Sequence, residues 1–284
     1  MGRRVTAAVL GTVLAIVAGC DRPTSPTAPT PAPAPAPAPA PGAQLATAGD
    51  PESDVGATWT LRGPVDGTVV DLHGVLMKPP GAGPFPAVVI SHGYGGSARQ
   101  FSTGVGRAMR GWGLVVIATD YTHAAGGATG APGGANDLGA SDANVVRAYA
   151  TLSVLGRLGY VDVRRIAAHG HSLGAFVTTA FAAAHGDRLR VASHTAGGVR
   201  PDGVPIDAAP AVTQAGLIRT PYQWHHGSDD EVVPLALDQL FEVALDASGV
   251  AHDGHVYAGA THDISQLPEV LDRIHAWYAA HGMF

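Results

Sequence analysis

Gly170-His171-Ser172-Leu173-Gly174 is the stretch on which the reading of this chain turns. The short apolar run Ile166-Ala167-Ala168 precedes it, and the run of small and apolar residues from Leu173 to His185 follows it. A Gly-x-Ser-x-Gly motif therefore falls between an expected strand and an expected helix. Such a turn lifts a serine hydroxyl above the C-terminal end of a sheet, and it is too tight for Cβ atoms at the two flanking positions. Ala175, Thr178, Thr179 and Ala182 to Ala184 extend a small-residue face that lets the helix lie close to the sheet.

Outward from this point the chain alternates apolar strands with amphipathic helices. Thr58 to Arg62 and Thr68 to Met77 read as a hairpin around the turn residues Gly63-Pro64 and Asp66-Gly67, and Pro86 to Ile90 as a buried strand. A helix is expected from an N-cap at Ser97, with Phe101, Val105, Ala108 and Met109 on one face and Gly111 as its stop. Further strands are expected at Leu114 to Ile117, Arg190 to Ser193, Pro221 to Trp224 and Asp253 to Tyr257. Helices are expected from Ser141, over Leu235 to Asp246, and around Val270, Ile274, Trp277 and Tyr278. The pattern specifies an α/β fold, a mainly parallel central sheet with helices on both faces and an antiparallel hairpin at its edge. About 25 residues separate the Ser193 strand from the Tyr222 strand, too few for a helical cap, so the fold carries no large cap domain and its cleft is open.

A serine hydroxyl needs a base, and the base needs an orienting acid. Open α/β sheets place their sites in loops at the C-terminal ends of strands. Two such loops follow in the expected order of acid, then histidine. Gly227-Ser228-Asp229-Asp230-Glu231-Val232-Val233-Pro234 offers three carboxylates, and Gly259-Ala260-Thr261-His262-Asp263 offers His262.

Together with Ser91-His92-Gly93-Tyr94-Gly95-Gly96, these segments resemble the α/β-hydrolases from roughly Pro86 onward. The chain is most similar to cap-less dienelactone-hydrolase-like and cutinase-like (polyesterase-like) serine esterases. The family's Gly-x-x-Asp-x-x-Val-Pro pattern puts the acid on Asp230. The resemblance implies a Ser172, Asp230, His262 triad, with the backbone N–H groups of Tyr94 and Leu173 as oxyanion donors. Short-chain or extended, polyester-like esters are the expected substrates, hydrolysed without a cofactor. Acyl transfer or peptide hydrolysis by the same triad is the enzymatic alternative, and an inactive surface-binding protein on the same scaffold is the non-enzymatic one.

The chain has 284 residues, 46% hydrophobic and 14% charged, with 17 basic against 23 acidic residues for a net charge of −6. It carries no Lys/Arg run, so no nucleic-acid partner is expected. Its one cysteine, Cys20, excludes an intramolecular disulfide. Arg3-Arg4, the apolar run Val5 to Ala18 and Val17-Ala18-Gly19-Cys20 resemble a bacterial lipoprotein signal, which places cleavage before Cys20 and lipid on its sulfur. The Ala-Pro alternation from Pro31 to Pro41 reads as an extended spacer of about 30 Å. The expected organisation is a signal at 1–19, a disordered tether at 20–54 and a catalytic domain at 55–284, exported and held to the cell envelope only by lipid, with no oligomer implied. Among 14 histidines the spacings His169-x-His171, His225-His226 and His252-x-x-His255 were the metal candidates, but no His-Glu-x-x-His occurs and no metal site is expected. Tyr121, His123 and Trp224 are candidate cleft residues, and the Gly-rich loop from His123 to Gly139 is expected to be mobile.

Overall fold

The structure is a computed structural model that describes residues 42–127, 130–204 and 208–284. The expected signal, Cys20 and the whole Ala-Pro spacer from Pro31 to Pro41 lie outside the described residues. A nine-stranded sheet organises the rest, in the order β1-β2-β3-β5-β4-β6-β7-β8-β9. The strands are β1 (Gln44–Ala48), β2 (Ala57–Val65), β3 (Thr68–Met77), β4 (Phe85–Ser91), β5 (Val115–Thr119), β6 (Val161–His171), β7 (Val191–Thr195), β8 (Tyr222–Gly227) and β9 (His252–Tyr257). β1, β2 and β3 pair antiparallel, and β3 meets β5 antiparallel. From β5 through β9 every pairing is parallel.

The β2–β3 hairpin closes on Asp66-Gly67, with Val65 opposite Thr68 and both turn residues at positive φ (46° and 79°). β2 runs through Gly63-Pro64 rather than turning there. β1 lies inside the segment read as tether. Its QLATA sequence is largely exposed and joins the sheet edge through its pairing with β2, so the folded part begins before residue 55.

In β4 and β5 successive side chains alternate between the two faces, as the pleat requires. Ala87, Val89, Val115, Ile117 and Ala168 pack into one core with α3 (Asp142–Leu155), α4 (Leu173–His185) and α6 (Ala236–Ser248). Val88, Ile90, Val116, Ala118 and Ala167 pack into the other with α7 (Pro268–Ala280) and the segment after β4. That segment departs from the single helix expected. Ser97 caps α1 (Ala98–Phe101) by accepting the Gln100 N–H at 3.2 Å. A π turn, Ser102–Gly106, then intervenes before α2 (Arg107–Gly111). Gly104, at φ −88° and ψ −105°, leaves helical geometry and produces the kink. Among the described residues between β7 and β8, the helical element is the single short α5 (Val212–Ala215), so no cap covers the C-terminal ends of the strands.

The described residues after position 129 of the Gly-rich loop that was expected to be mobile are hydrogen-bonded to α3. Arg147, 1% exposed on α3, donates to the carbonyls of Asp120, Pro132 and Gly130 at 2.9–3.0 Å. Asn144, also buried, accepts the Thr122 N–H and donates to the Asp137 and Gly139 carbonyls. A buried guanidinium with three carbonyl partners keeps its loop in place, because freeing the loop would leave a buried charge unsatisfied.

Candidate active site

β6 ends in the turn that carries Ser172, at φ 58° and ψ −125°, a conformation rarely open to a residue with a side chain. The two motif glycines are forced by contact. A Cβ on Gly170 would run into the Gly174 carbonyl, and one on Gly174 into the carbonyls of Ser91 and His92, so the helix could not sit against β4. The Ser172 N–H donates to the Thr195 carbonyl at 3.1 Å, which fixes the turn to β7.

Ser172 and His262 line one open cleft of about 590 Å³ at the C-terminal ends of the strands. His262 sits in the loop after β9 with its side chain 16% exposed, while the side chain of Asp230, in the loop after β8, is fully buried. His262 Nδ1–H donates to Asp230 Oδ2 at 2.8 Å. Asp230 Oδ1 accepts the N–H groups of Val232 and Val233 at 2.8 and 2.9 Å. Burial works to raise the Asp230 pKa. The His262 hydrogen bond and the two backbone donors outweigh it, and the carboxyl is held below its ordinary value. Of the three carboxylates in this loop, it is Asp230 that meets His262. Exposed Asp229 instead accepts the Ser228 hydroxyl at 2.7 Å. The Ser172 hydroxyl and His262 share the cleft without a hydrogen bond between them, an arrangement common before substrate binds.

The Ser91–Gly96 segment is locked from beneath. His92 Nδ1–H donates to the Gly93 carbonyl at 2.8 Å, and its Nε2 accepts the Tyr121 N–H at 3.1 Å, which sets the neutral tautomer. Burial pushes the His92 pKa down. Gly95 N–H donates to the His123 carbonyl at 2.9 Å. Among the described residues the N–H groups of Tyr94 and Leu173 find no protein acceptor; Tyr94 lines the cleft, and Leu173 directly follows Ser172 at the start of α4. The Tyr94 ring is 76% exposed at the rim.

Other expected cleft residues lie elsewhere. Tyr121 is fully buried with its hydroxyl 2.8 Å from Ser91 Oγ, His123 is buried and donates to the His92 carbonyl at 3.0 Å, and Trp224 is in the core. None of the three lines the cleft. The cleft is lined instead by Phe101, Gln100, Gln266, Val232 and His171. His171 was read only as part of the turn. Its ring lies 4.9 Å from that of His262 and its Nδ1 2.9 Å from the Thr195 hydroxyl. Desolvation, then the neighbouring His262, pushes it down to about 4, so it stands neutral beside the candidate base. Among the described residues, no group of three or more His, Cys, Asp or Glu side chains is arranged to hold a metal ion. His169 and His226, for instance, bond to Ser193 and Asp238 respectively.

The family model for the dienelactone hydrolase family matches residues 72–266, more than half of the 284-residue chain. The chain belongs to the dienelactone hydrolase family. Solved structures with the same fold include an S-formylglutathione hydrolase from Agrobacterium tumefaciens, with TM-score 0.60 and 17% identity, covering 83% of this chain and 98% of that one. A puromycin-hydrolyzing peptidase from Mycobacterium tuberculosis aligns with TM-score 0.60 and 18% identity, over 84% of this chain and 46% of that one. A dipeptidyl peptidase 4 from Porphyromonas gingivalis aligns with TM-score 0.60 and 18% identity, over 74% and 33%. The chain thus spans a third to a half of the two peptidases and nearly the whole of the A. tumefaciens hydrolase. No curated protein matches the sequence. Membership of the dienelactone hydrolase family supports a serine hydrolase.

Proposed function

We propose that this member of the family is a carboxylic-ester hydrolase that works through an acyl-enzyme on Ser172. The observation that carries the reading is the strained Ser172 turn opening into the same cleft as His262, whose ring is oriented by the buried, ionised Asp230. His262 Nε2 takes the Ser172 proton as Oγ attacks the ester carbonyl carbon. The resulting oxyanion accepts the Tyr94 and Leu173 N–H groups, each contributing about 3 kcal/mol of transition-state stabilisation. Collapse breaks the carbon–oxygen bond, and His262 returns the proton to the departing alcohol. Water then repeats the cycle on the acyl-enzyme and releases the acid.

The open cleft, its exposed Tyr94 and Val232 rim and the missing cap favour short acyl groups or an extended, polyester-like chain over a buried lipid tail. No Lys or Arg is among the lining residues and Asp263 is, which favours neutral esters over carboxylate-bearing ones. Peptide hydrolysis or acyl transfer by the same groups is the second reading, supported by the peptidase neighbours. A p-nitrophenyl butyrate assay beside a matched p-nitroanilide tests both. Ester turnover that disappears in Ser172→Ala is the expected result, and faster anilide than ester turnover would favour the peptidase. The lipobox-like Val17 to Cys20 supports a lipid anchor outside the cytoplasm, with the Ala-Pro spacer as tether. Release of Cys20→Ser from the membrane fraction, with ester turnover unchanged, is the expected outcome there.

A further inference from the structure

Behind the cleft lies a run of ionisable side chains that the reaction as described leaves untouched. Asp238 in the first turn of α6, His194 on β7 and His226 on β8 have no exposed side-chain surface. Asp238 Oδ1 lies 2.7 Å from His194 Nε2, and Asp238 Oδ2 lies 2.6 Å from His226 Nδ1. At His194 one ring hydrogen satisfies both nitrogens, because Nε2–H donates to Asp238 and Nδ1 accepts the Tyr222 hydroxyl at 3.0 Å. His226 has no such option. Its Nδ1 faces only the Asp238 carboxylate. Its Nε2 faces the Val233 carbonyl at 2.9 Å and Asp230 Oδ2 at 3.3 Å. Both ring nitrogens must therefore carry hydrogen.

We propose that His226, held doubly protonated by Asp238, is a positioning residue for the Ser172–His262–Asp230 triad. It ties the Val233 carbonyl of the acid-bearing loop to β8 and keeps a fixed positive charge beside the same Asp230 oxygen that accepts the His262 hydrogen bond. The inference rests on the triad assignment above. A buried charged pair is costly to desolvate and contributes little net stability, so its placement against the acid is the more telling property.

Electrostatics agree with the geometry. Burial works to lower the His226 pKa, yet the hydrogen bond and charge of Asp238, with Val233 and Asp230, raise it above its ordinary value. Asp238, despite its burial, is held at about 2 by His194 and His226. The ionisable groups facing His226 are Asp238 from α6 and Asp230 from the loop after β8. Beyond them stand His194 on β7 and His262 in the loop after β9, while the buried Tyr222 phenol is pushed well above 10 and stays neutral. His226 and His262 share Asp230 Oδ2, so the charge on His226 bears directly on the acid–base pair of the triad. Removing that charge while Asp238 stays ionised moves the acidic limb of the rate profile up by about one pH unit.

The test compares wild type, His226→Gln and Asp238→Asn on p-nitrophenyl butyrate across pH. Rates are expressed per active site after titration with a fluorophosphonate. Expected in both variants is a kcat about 10-fold or more lower with KM little changed. His226→Gln, which leaves the Asp238 charge unpaired, also raises the acidic limb by about one unit, while Asp238→Asn removes one charge of each sign and leaves the limb near wild type. A His226→Gln profile that superimposes on wild type once normalised, whatever the loss of Tm, would reduce the pair to a structural role and overturn the inference alone. Failure of wild type to label at Ser172 overturns the triad and this inference with it. Should neither variant fold, imidazole 15N spectra of the histidine-labelled wild type decide the matter. Two ring protons on His226 at pH 8 are expected, and a neutral tautomer there overturns the proposal.

Discussion

Asp230→Asn isolates the electrostatic part of the proposed triad. The amide keeps the shape of the carboxylate, and its oxygen can still accept the Val232 and Val233 N–H groups that Oδ1 accepts now. The amide NH2 then takes the place of Oδ2, 2.8 Å from His262 Nδ1 and 3.3 Å from His226 Nε2. A donor facing Nδ1 forces His262 to put its hydrogen on Nε2, where the lone pair needed by Ser172 would be. The negative charge that stabilises the imidazolium is lost at the same time. Wrong-tautomer substitutions of this type cost about 10⁴-fold in kcat, or about 5 kcal/mol of transition-state stabilisation. The assay is kcat for p-nitrophenyl butyrate per folded molecule, with the fold checked by near-UV circular dichroism. Exposed Asp229 makes no contact with His262, so Asp229→Asn serves as the control and stays within about 2-fold of wild type. An Asp230→Asn enzyme retaining a tenth of wild-type kcat, or an Asp229→Asn enzyme equally damaged, refutes the reasoning.

Gly174→Ala gains about 1 kcal/mol of helix propensity, but its Cβ meets the Ser91 and His92 carbonyls, and overpacking of about 3 kcal/mol dominates. Urea denaturation should therefore show net destabilisation, and a neutral or stabilised variant contradicts the close contact of α4 with β4. Acid should unfold the protein early. Buried His169 and His123, pushed down to about 3 and about 4 chiefly by desolvation, stay neutral in the fold while the unfolded chain binds protons below 6.5. Each then removes about 2 kcal/mol of stability as pH falls from 7 to 5, read from urea midpoints across that range. Turnover should favour acyl chains of about two to six carbons and neutral esters over carboxylate-bearing ones of equal size. Rates that climb steadily to long chains, or favour the anion, contradict an open cleft without Lys or Arg.

Much of this was legible in the sequence, because the signals were local. Strand alternation and the Gly170–Gly174 spacing report a pleat and a steric demand, and both survive intact in β4, β5 and the Ser172 turn. The order of the Asp230 and His262 loops after successive strands likewise put both at one end of the sheet. What escaped depended on partners far away in the chain. Gln44–Ala48 lacks an apolar signature because its strand is held through its pairing with β2 at an exposed edge. The spacing of Phe101, Val105 and Met109 hides the break that Gly104 makes between them. Nothing local marks Arg147 or Asp238 for burial. Their burial makes sense only once the loop carbonyls and the two histidines they satisfy are known. His171, read for its backbone, brings its ring beside His262 because the turn points that side chain into the cleft.

The central claim is that Ser172 is the nucleophile, and covalent labelling tests it most directly. Wild-type protein treated with a fluorophosphonate should gain the mass of one phosphonyl group. Peptide mapping should place that group on Ser172, with labelling abolished in Ser172→Ala and strongly slowed in His262→Ala. A stoichiometric adduct on any other residue, or an unlabelled wild type that still hydrolyses esters, would contradict it.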